Sequence, residues 1–299
     1  MVSVIITTHN RVNLLSRAIE SVFAQTYNNY ELIVVSDGST DGTDDFMSRF
    51  ENNPQVSYIT YYPGKGGNYA RNSGIRVAKG EYVAFLDDDD EWLPNKLEKQ
   101  VATIEKDNSI GLVYTGVNAI YVEDRVTYKT SPSSSGDLSK NILLKNLIGS
   151  TTTVLVRKQV LEKSGVFDEE LFALQDYDLW IRVCQHAQVA VISEALVNYY
   201  NYRNTTQVSS STEKYEKAFE HIEHKYNMII DRLSLKEQKN RVSNKLFLLG
   251  NKAMRNNNPR QARMYFKKLL ANGFNIKALI YYFMTFTSFS VVLRLRKFI

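Results

Sequence analysis

The sequence predicts an α/β protein with a mostly parallel sheet, a mixed second half and a helical C-terminal appendage. Three observations predict it. Over the first 110 residues, short apolar runs alternate with segments of helical periodicity. After Gly111 the runs lengthen and the alternation stops, and from about Glu213 onward the pattern is helical. We therefore divide the chain into a domain over 1–212, with halves 1–110 and 111–212, and a helical region over 213–299.

Val2–Thr7 is a short apolar strand, followed by Leu14–Gln25 with Leu15, Ile19, Val22 and Phe23 at helical spacing. Glu31–Ser36 is a second buried strand that ends in the turn Asp37-Gly38-Ser39-Thr40. Thr43–Phe50 reads as helix, Val56–Tyr61 as strand, Tyr69–Ala78 as helix and Tyr82–Leu86 as strand. The acidic run Asp87–Asp90 follows, then a helix from about Pro94 to Lys106 with proline in its first turn. Strands this short and apolar imply a sheet covered on both faces. Ligands of such sheets sit at the carboxyl ends of the strands. That rule selects Thr7–Arg11, Asp37–Asp41 and Asp87–Glu91.

In the second half, Leu112–Val122, Val126–Thr130 and Thr152–Arg157 read as strands around a serine-rich loop, Ser131–Gly136. Asp176–His186 reads as helix, and Val189–Ile192 and Leu196–Tyr202 as two further strands. Pro259–Leu270 sets Ala262, Tyr265, Phe266 and Leu269 on one face, like one helix of a tetratricopeptide hairpin, but one copy makes no array.

Composition fits a packed globular chain of 299 residues, 43% hydrophobic and 23% charged, with 5 prolines. The net charge of +5 conceals an asymmetry. Residues 1–213 hold 19 Lys+Arg against 27 Asp+Glu, and residues 214–299 hold 18 against 5. An acidic body suits carboxylate chemistry, and a basic tail suits anionic surfaces. The lone cysteine, Cys184, lies in the apolar run LWIRVC and reads as inert core; one thiol forms no internal disulfide and fits a reducing compartment. The N-terminus opens directly on a strand, with no basic-then-apolar leader pattern, so a cytoplasmic location is expected.

Four elements carry candidate chemistry. Asp87–Asp90 read in isolation is a solvated loop, but adjacent carboxylates at a buried strand's end suit a cation. Oxygen ligands without His or Cys favour Mg2+ or Mn2+, which can bridge carboxylates to a diphosphate. Asp37 is either a simple Asp-Gly turn or an acceptor for a ligand N–H such as uracil N3–H. Arg71, in Ala70-Arg71-Asn72-Ser73-Gly74 after Gly64, Gly66 and Gly67, is either a solvated helix start or a phosphate or nucleoside contact. Those glycines match neither a Rossmann fingerprint nor a phosphate-binding P-loop. Asp176, in Gln175-Asp176-Tyr177-Asp178-Leu179-Trp180, is either a helix cap or a general base at a helix N-terminus.

Together, VSVIITTHNR, QTYNNYELIVVSDGSTDGT, ARNSGIRVAKGEYVAFLDDDDEW and QDYDLWIR resemble family 2 glycosyltransferases of the GT-A fold, from Val2 to about Tyr202. The resemblance implies a Rossmann-like nucleotide-sugar half over 1–110 and an acceptor half over 111–212. It implies that Thr7 and His9 line the nucleobase pocket, that Asp37 binds uracil and that Arg71 binds the nucleoside. Asp87 and Asp89 become the outer residues of an Asp-x-Asp motif, with Asp89 on Mn2+ or Mg2+ and Asp88 facing the donor ribose or sugar. Asp176 becomes the catalytic base, Trp180 core, and the reaction an inverting transfer from a nucleotide diphosphate sugar, UDP-linked by expectation. Gln175 departs from the family's Glu-Asp pair: the position before the base is neutral. The expected acceptor is a glycan or lipid-linked sugar of a bacterial surface polysaccharide, and no nucleic acid is implied.

Two other classes compete. A nucleotidyltransferase would release pyrophosphate, but the glycine-rich loop it needs after the first strand is missing. A noncatalytic nucleotide-sugar scaffold would bind donor without hydrolysing it. His221 and His224 share a helical face without further ligand partners in sequence. Ala278–Leu293 is 16 uncharged residues flanked by Lys277 and Arg294. A bilayer span takes ~20 apolar residues. A helix within 276–299 lying in an anionic membrane interface is the expectation, peripheral at the inner face of the cell membrane, with packing on the protein as the alternative.

Overall fold

The structure is a computed structural model that describes residues 1–202, 211–273 and 276–295. The first half alternates β1 (Val2–Thr8), α1 (Val12–Phe23), β2 (Tyr30–Asp37), α2 (Thr43–Met47), β3 (Val56–Tyr61), α3 (Gly67–Val77) and β4 (Tyr82–Asp87). The second half holds β5 (Glu91–Trp92), α4 (Lys96–Ile104), β6 (Ile110–Tyr121), β7 (Val126–Lys129), β8 (Val154–Arg157), α5 (Lys158–Ser164), α6 (Gln175–Cys184) and β9 (Gln188–Asn201).

All these strands join one sheet in the order β3-β2-β1-β4-β8-β6-β9-β5, with β7 paired to β6. The strands β1 to β4 run parallel, as their unbroken apolar sequences require. Strand β8 then enters antiparallel between β4 and β6, making the sheet mixed. Its two faces bury separate cores. One packs α1 and α4 through Leu15, Ile19, Leu97 and Ile104; the other packs α6 through Leu179, Trp180 and Val183.

The register places the candidate residues. Thr7 lies opposite Val35 of β2 and Asp87 of β4, and Asp37 lies opposite Tyr61 of β3, so the three strands end at one level. Mixed pairing beyond β4 creates the change of direction where a crevice opens.

The remaining chain is helical: α7 (Thr212–Lys225), α8 (Asn227–Ile230), α9 (Leu235–Arg255), α10 (Pro259–Asn272), α11 (Ile276–Met284) and α12 (Phe289–Leu295). These helices join the same apolar core as α6, through Phe219, Ile222, Leu249, Phe266 and Tyr281. Helix α9 starts on a capping box, Ser234 with Glu237. Where α9 and α10 meet, a Cβ on Gly250 would lie 2.7 Å from the Phe266 ring, so only glycine admits this approach.

Some elements differ from the sequence reading. The two expected strands after residue 188 are one strand, β9, because a register shift opposite Thr115–Gly116 absorbs the polar Ser193–Glu194. Helix α4 starts at Lys96, leaving Pro94 outside its first turn. The segment 276–299 forms two helices broken near Thr285–Ser288, where the Thr285 and Thr287 hydroxyls bond to the Tyr282 and Met284 carbonyls. Its last four residues, 296–299, lie outside the described residues, as do 203–210 of the expected boundary segment.

Candidate active site

A cavity of about 890 Å³ opens at the ends of β1, β2 and β4. Its lining holds every singled-out side chain: Thr7, His9, Asp37, Arg71, Asp87, Asp88, Asp89 and Asp176.

The acidic run is divided by its surroundings. Asp87 accepts from Arg71 Nη2 at 2.9 Å, with the Thr151 hydroxyl at 3.4 Å. Asp88 accepts from Arg11 Nη1 at 3.0 Å, and the same nitrogen stands 3.4 Å from Asp89 Oδ2. Arg17 bonds to the Asp89 carbonyl at 2.7 Å and stacks on Tyr200, holding the run against β9. Burial raises Asp88 to about 6, aided by Asp89 and opposed by Arg11. Asp90 turns away from the cavity and accepts from the Tyr200 N–H at 3.1 Å. Its full burial, next to Asp89 and Asp87, pushes it well above the usual carboxylate range. Four neighbouring acids therefore coexist through two arginines and one acid that resists ionising.

Asp37 is tied to the glycine loop. Its carboxylate accepts from the Lys65 and Gly66 N–H groups at 2.6 and 2.8 Å. A Cβ on Gly64 would come within 2.6 Å of the Asp37 carbonyl oxygen, which is why this close approach takes glycine. Carboxylate oxygens keep further lone pairs for a ligand N–H. His9 Nδ1–H donates to the Asp37 carbonyl at 2.6 Å, which fixes its tautomer and leaves the ring exposed at the rim.

Asp176 sits in the first turn of α6, two residues after Leu174, a leucine in the left-handed region at φ 57°. That unusual backbone starts the helix abruptly and turns Gln175 and Asp176 into the cavity. Asp176 accepts from the Tyr177 N–H at 2.7 Å. Burial raises its pKa to about 6; the Tyr177 N–H, Arg71 and Lys252 oppose, and Asp87 adds. The helix itself is pinned from several sides. Trp180 Nε1 donates to the Gly149 carbonyl at 2.9 Å, fixing a cavity loop. Asp178 is fully buried and binds Arg182, Lys225 and Tyr226. Trp180 is core, as expected, and Cys184 is buried, its thiol raised to about 12 and inert.

The sequence reading missed the opposite wall, which Tyr215 of α7 and Leu248, Lys252 and Arg255 of α9 supply. No short-range pattern marks them, since the fold brings them back from positions 39 to 79 residues beyond Asp176. Arg11 was missed too, although it follows His9 at the end of β1 in a selected loop.

A divalent cation fits the acidic wall by its chemistry. Asp87, Asp88 and Asp89 are hard oxygen donors lining the cavity, with Arg71 paired to Asp87 and Arg11 paired to Asp88 and Asp89. One carboxylate with a diphosphate suffices for Mg2+ or Mn2+. Among the described residues, the His/Asp/Glu trio whose ligand atoms converge is elsewhere: Asp168, Glu170 and His221. There Asp168 is paired with the Lys225 ammonium at 2.5 Å and with His221 Nε2 at 3.1 Å, and the trio lies outside the cavity lining. His224 is not in that group.

Residues 3–165 match the model of glycosyl transferase family 2, more than half of the chain. The chain belongs to this family. It is 33% identical over 218 residues to an Escherichia coli UDP-Glc:alpha-D-GlcNAc-diphosphoundecaprenol beta-1,3-glucosyltransferase, covering 73% of this chain and 82% of that protein. It is 31% identical over 249 residues to a putative colanic acid biosynthesis glycosyl transferase of Escherichia coli strain K12, covering 80% and 85%. A solved mannosyltransferase from Pyrobaculum calidifontis, in complex with GDP-Man and Mn2+, superimposes with a TM-score of 0.61 at 18% identity, covering 93% of this chain and 77% of that one. This family 2 member thus has the GT-A fold expected from its motifs, with C-terminal helices added.

Proposed function

We propose that this glycosyltransferase moves a sugar from a nucleotide diphosphate sugar, UDP-linked in the first instance, to an acceptor hydroxyl with inversion at the anomeric carbon. The carrying observation is that Asp176 of α6 and Asp87, Asp88 and Asp89 at the end of β4 line one cavity. The base and the leaving-group site thereby share one space.

Thr7, His9, Asp37 and Arg71 receive the nucleoside, at the strand ends where the sheet opens. Asp88 faces the donor ribose or sugar. Asp89 would hold Mn2+ or Mg2+, whose charge, when bound, stabilises the departing diphosphate. Asp176 takes the acceptor proton. With a pKa of about 6 it is ionised at neutral pH yet basic enough to accept a proton in the transition state. A single displacement requires the acceptor to approach opposite the leaving group, and one base on α6 suits that arrangement. Gln175 adds no charge beside the base, so its burial and Arg71 set its proton affinity.

The relatives' printed activities support a surface-polysaccharide role with a lipid-linked sugar acceptor. The C-terminal helices suit a peripheral contact with an anionic membrane. Ile276, Phe283 and Phe286 are exposed by 60% or more, while Ala278, Tyr281 and Met284 pack inward. Arg263, Lys267 and Lys268 flank Phe286. No helix among the described residues is long and apolar enough to cross a membrane.

Incubating the protein with a panel of nucleotide sugars and Mn2+, and measuring nucleoside diphosphate release, tests the reading. Release from one sugar class, lost with Asp89→Asn, supports it. Pyrophosphate as the product would instead favour a nucleotidyltransferase, and donor binding without turnover a noncatalytic scaffold.

A further inference from the structure

The cavity lining holds two charged groups: Asp87, Asp88 and Asp89 with their partners Arg11 and Arg71, and the cations Lys252 and Arg255 of α9. Asp176 feels both groups, through Arg71 and Asp87 of the first and Lys252 of the second. These two cations lie three residues apart on α9, hence on one helix face, where they repel each other.

Lys252 is poorly compensated by the protein itself. Its ammonium lies 4.4 Å from the centre of the Tyr215 ring, and among the described residues no carboxylate comes within ion-pair distance of it. Burial lowers its pKa to about 7, repulsion from Arg255 acts the same way, and Asp176 opposes. A half-buried cation facing the cavity is costly unless an anion meets it. The acceptor is the reactant whose hydroxyl must reach Asp176, so its remaining part extends along this basic wall.

We propose that Lys252 and Arg255 form a subsite for an anionic phosphate or diphosphate ester on the acceptor, positioned so that the acceptor hydroxyl reaches Asp176. This rests on the reading of Asp176 as the base. The phosphoester is preferred over a sugar carboxylate because two cations, one a planar guanidinium fork, match a group with several charged oxygens. The subsite makes the enzyme selective for acceptors that carry their charge at a fixed distance from the reacting hydroxyl.

Calorimetry on the full chain in EDTA tests this, with phenyl phosphate and glucuronic acid as separate probes. EDTA leaves the acidic wall without metal and repelling anions. Phenyl phosphate is expected to bind saturably at one site, weakened about tenfold or more in Lys252→Met and in Arg255→Gln, as for loss of one charge-assisted hydrogen bond. Lys252→Arg should keep most of the binding, and UDP binding with Mn2+ in each variant reports an intact fold. No saturable binding by the unmodified protein, equal binding in Lys252→Met and Arg255→Gln, or tighter binding of glucuronic acid would each overturn the proposal. If phenyl phosphate binds and depends on Lys252 while UDP with Mn2+ does not bind the unmodified protein, the donor reading fails and the anion subsite stands.

Discussion

Arg71 Nη2 lies 2.9 Å from Asp87 Oδ1, joining α3 to the end of β4 across the floor of the cavity. Both residues also act on Asp176, Arg71 lowering and Asp87 raising its proton affinity. This pair links the proposed nucleotide side of the cavity to Asp176, and it makes the titration of Asp176 a readout of the site.

Activity should therefore follow the ionisation of Asp176. Its folded pKa is raised to about 6, so kcat/KM should climb with pH through about 6 and level off above it. Arg71→Met should move that limb upward and Asp87→Asn downward, read from initial rates between about pH 4.5 and 8. A limb that stays put in both variants would detach the base from this pair.

Replacing Asp176, the proposed base, should give the larger effect. Asp176→Asn should lower kcat by about 10²–10⁴ while leaving UDP affinity within about twofold, since a positioned base contributes that much to rate and little to donor binding. The check is steady-state kinetics beside UDP calorimetry.

Asp88 should cost stability at neutral pH. Its folded pKa of about 6 lies above the ordinary value of 3.8, so the native state holds the proton more tightly than the unfolded one. Its contribution is most favourable below the ordinary value and is lost as pH rises through about 6, by up to about 3 kcal/mol. Thermal denaturation in EDTA should show Asp88→Asn gaining Tm at pH 7 and little or nothing at pH 4. Arg11→Ala should lose stability at pH 7, because Asp88 and Asp89 then share no cation, and Mn2+ should restore part of it.

Helix packing gives a purely structural expectation. Gly250→Val inserts a side chain where even a Cβ meets the Phe266 ring at 2.7 Å. Overpacking of this kind costs about 1–3 kcal/mol. Gly273→Ala, with nothing within 4 Å of its added Cβ, serves as the matched control in urea unfolding.

The C-terminal face should carry any membrane affinity. Phe283 and Phe286 are exposed by 60% and 65%, so replacing both by Ser removes apolar area without disturbing the inward Ala278, Tyr281 and Met284. Co-sedimentation with phosphatidylglycerol vesicles should fall in the double variant while Tm stays within a degree or two. Unchanged sedimentation would detach the membrane from α11 and α12.

The meeting of Thr7, Asp37 and Asp87 at one end of the sheet was legible in sequence because its logic is local. An apolar strand followed by a polar tip identifies Thr7, Asp37 and Asp87 without knowledge of the sheet, and parallel pairing then brings the tips level. The α6 motif was equally readable, although its left-handed Leu174 was not, since leucine carries no signal for that conformation. Lys252 and Arg255 were invisible for a different reason. On the sequence they belong to a basic helix indistinguishable from its solvated neighbours, and only tertiary packing turns them inward. The join of Val189–Ile192 to Leu196–Asn201 into one strand likewise depends on a bulge that only pairing with β6 reveals.

The wall formed by α7 and α9 carries a practical consequence for building hybrids among relatives. The family match ends at residue 165, ahead of both Asp176 and Lys252. On the proposed assignment, an exchange cut there would graft one protein's donor-binding residues onto another's Asp176 and α9 residues. Transplanting a complete reaction chamber requires the chain through at least Arg255, whereas cutting near 165 offers a way to mix donor and acceptor preferences separately.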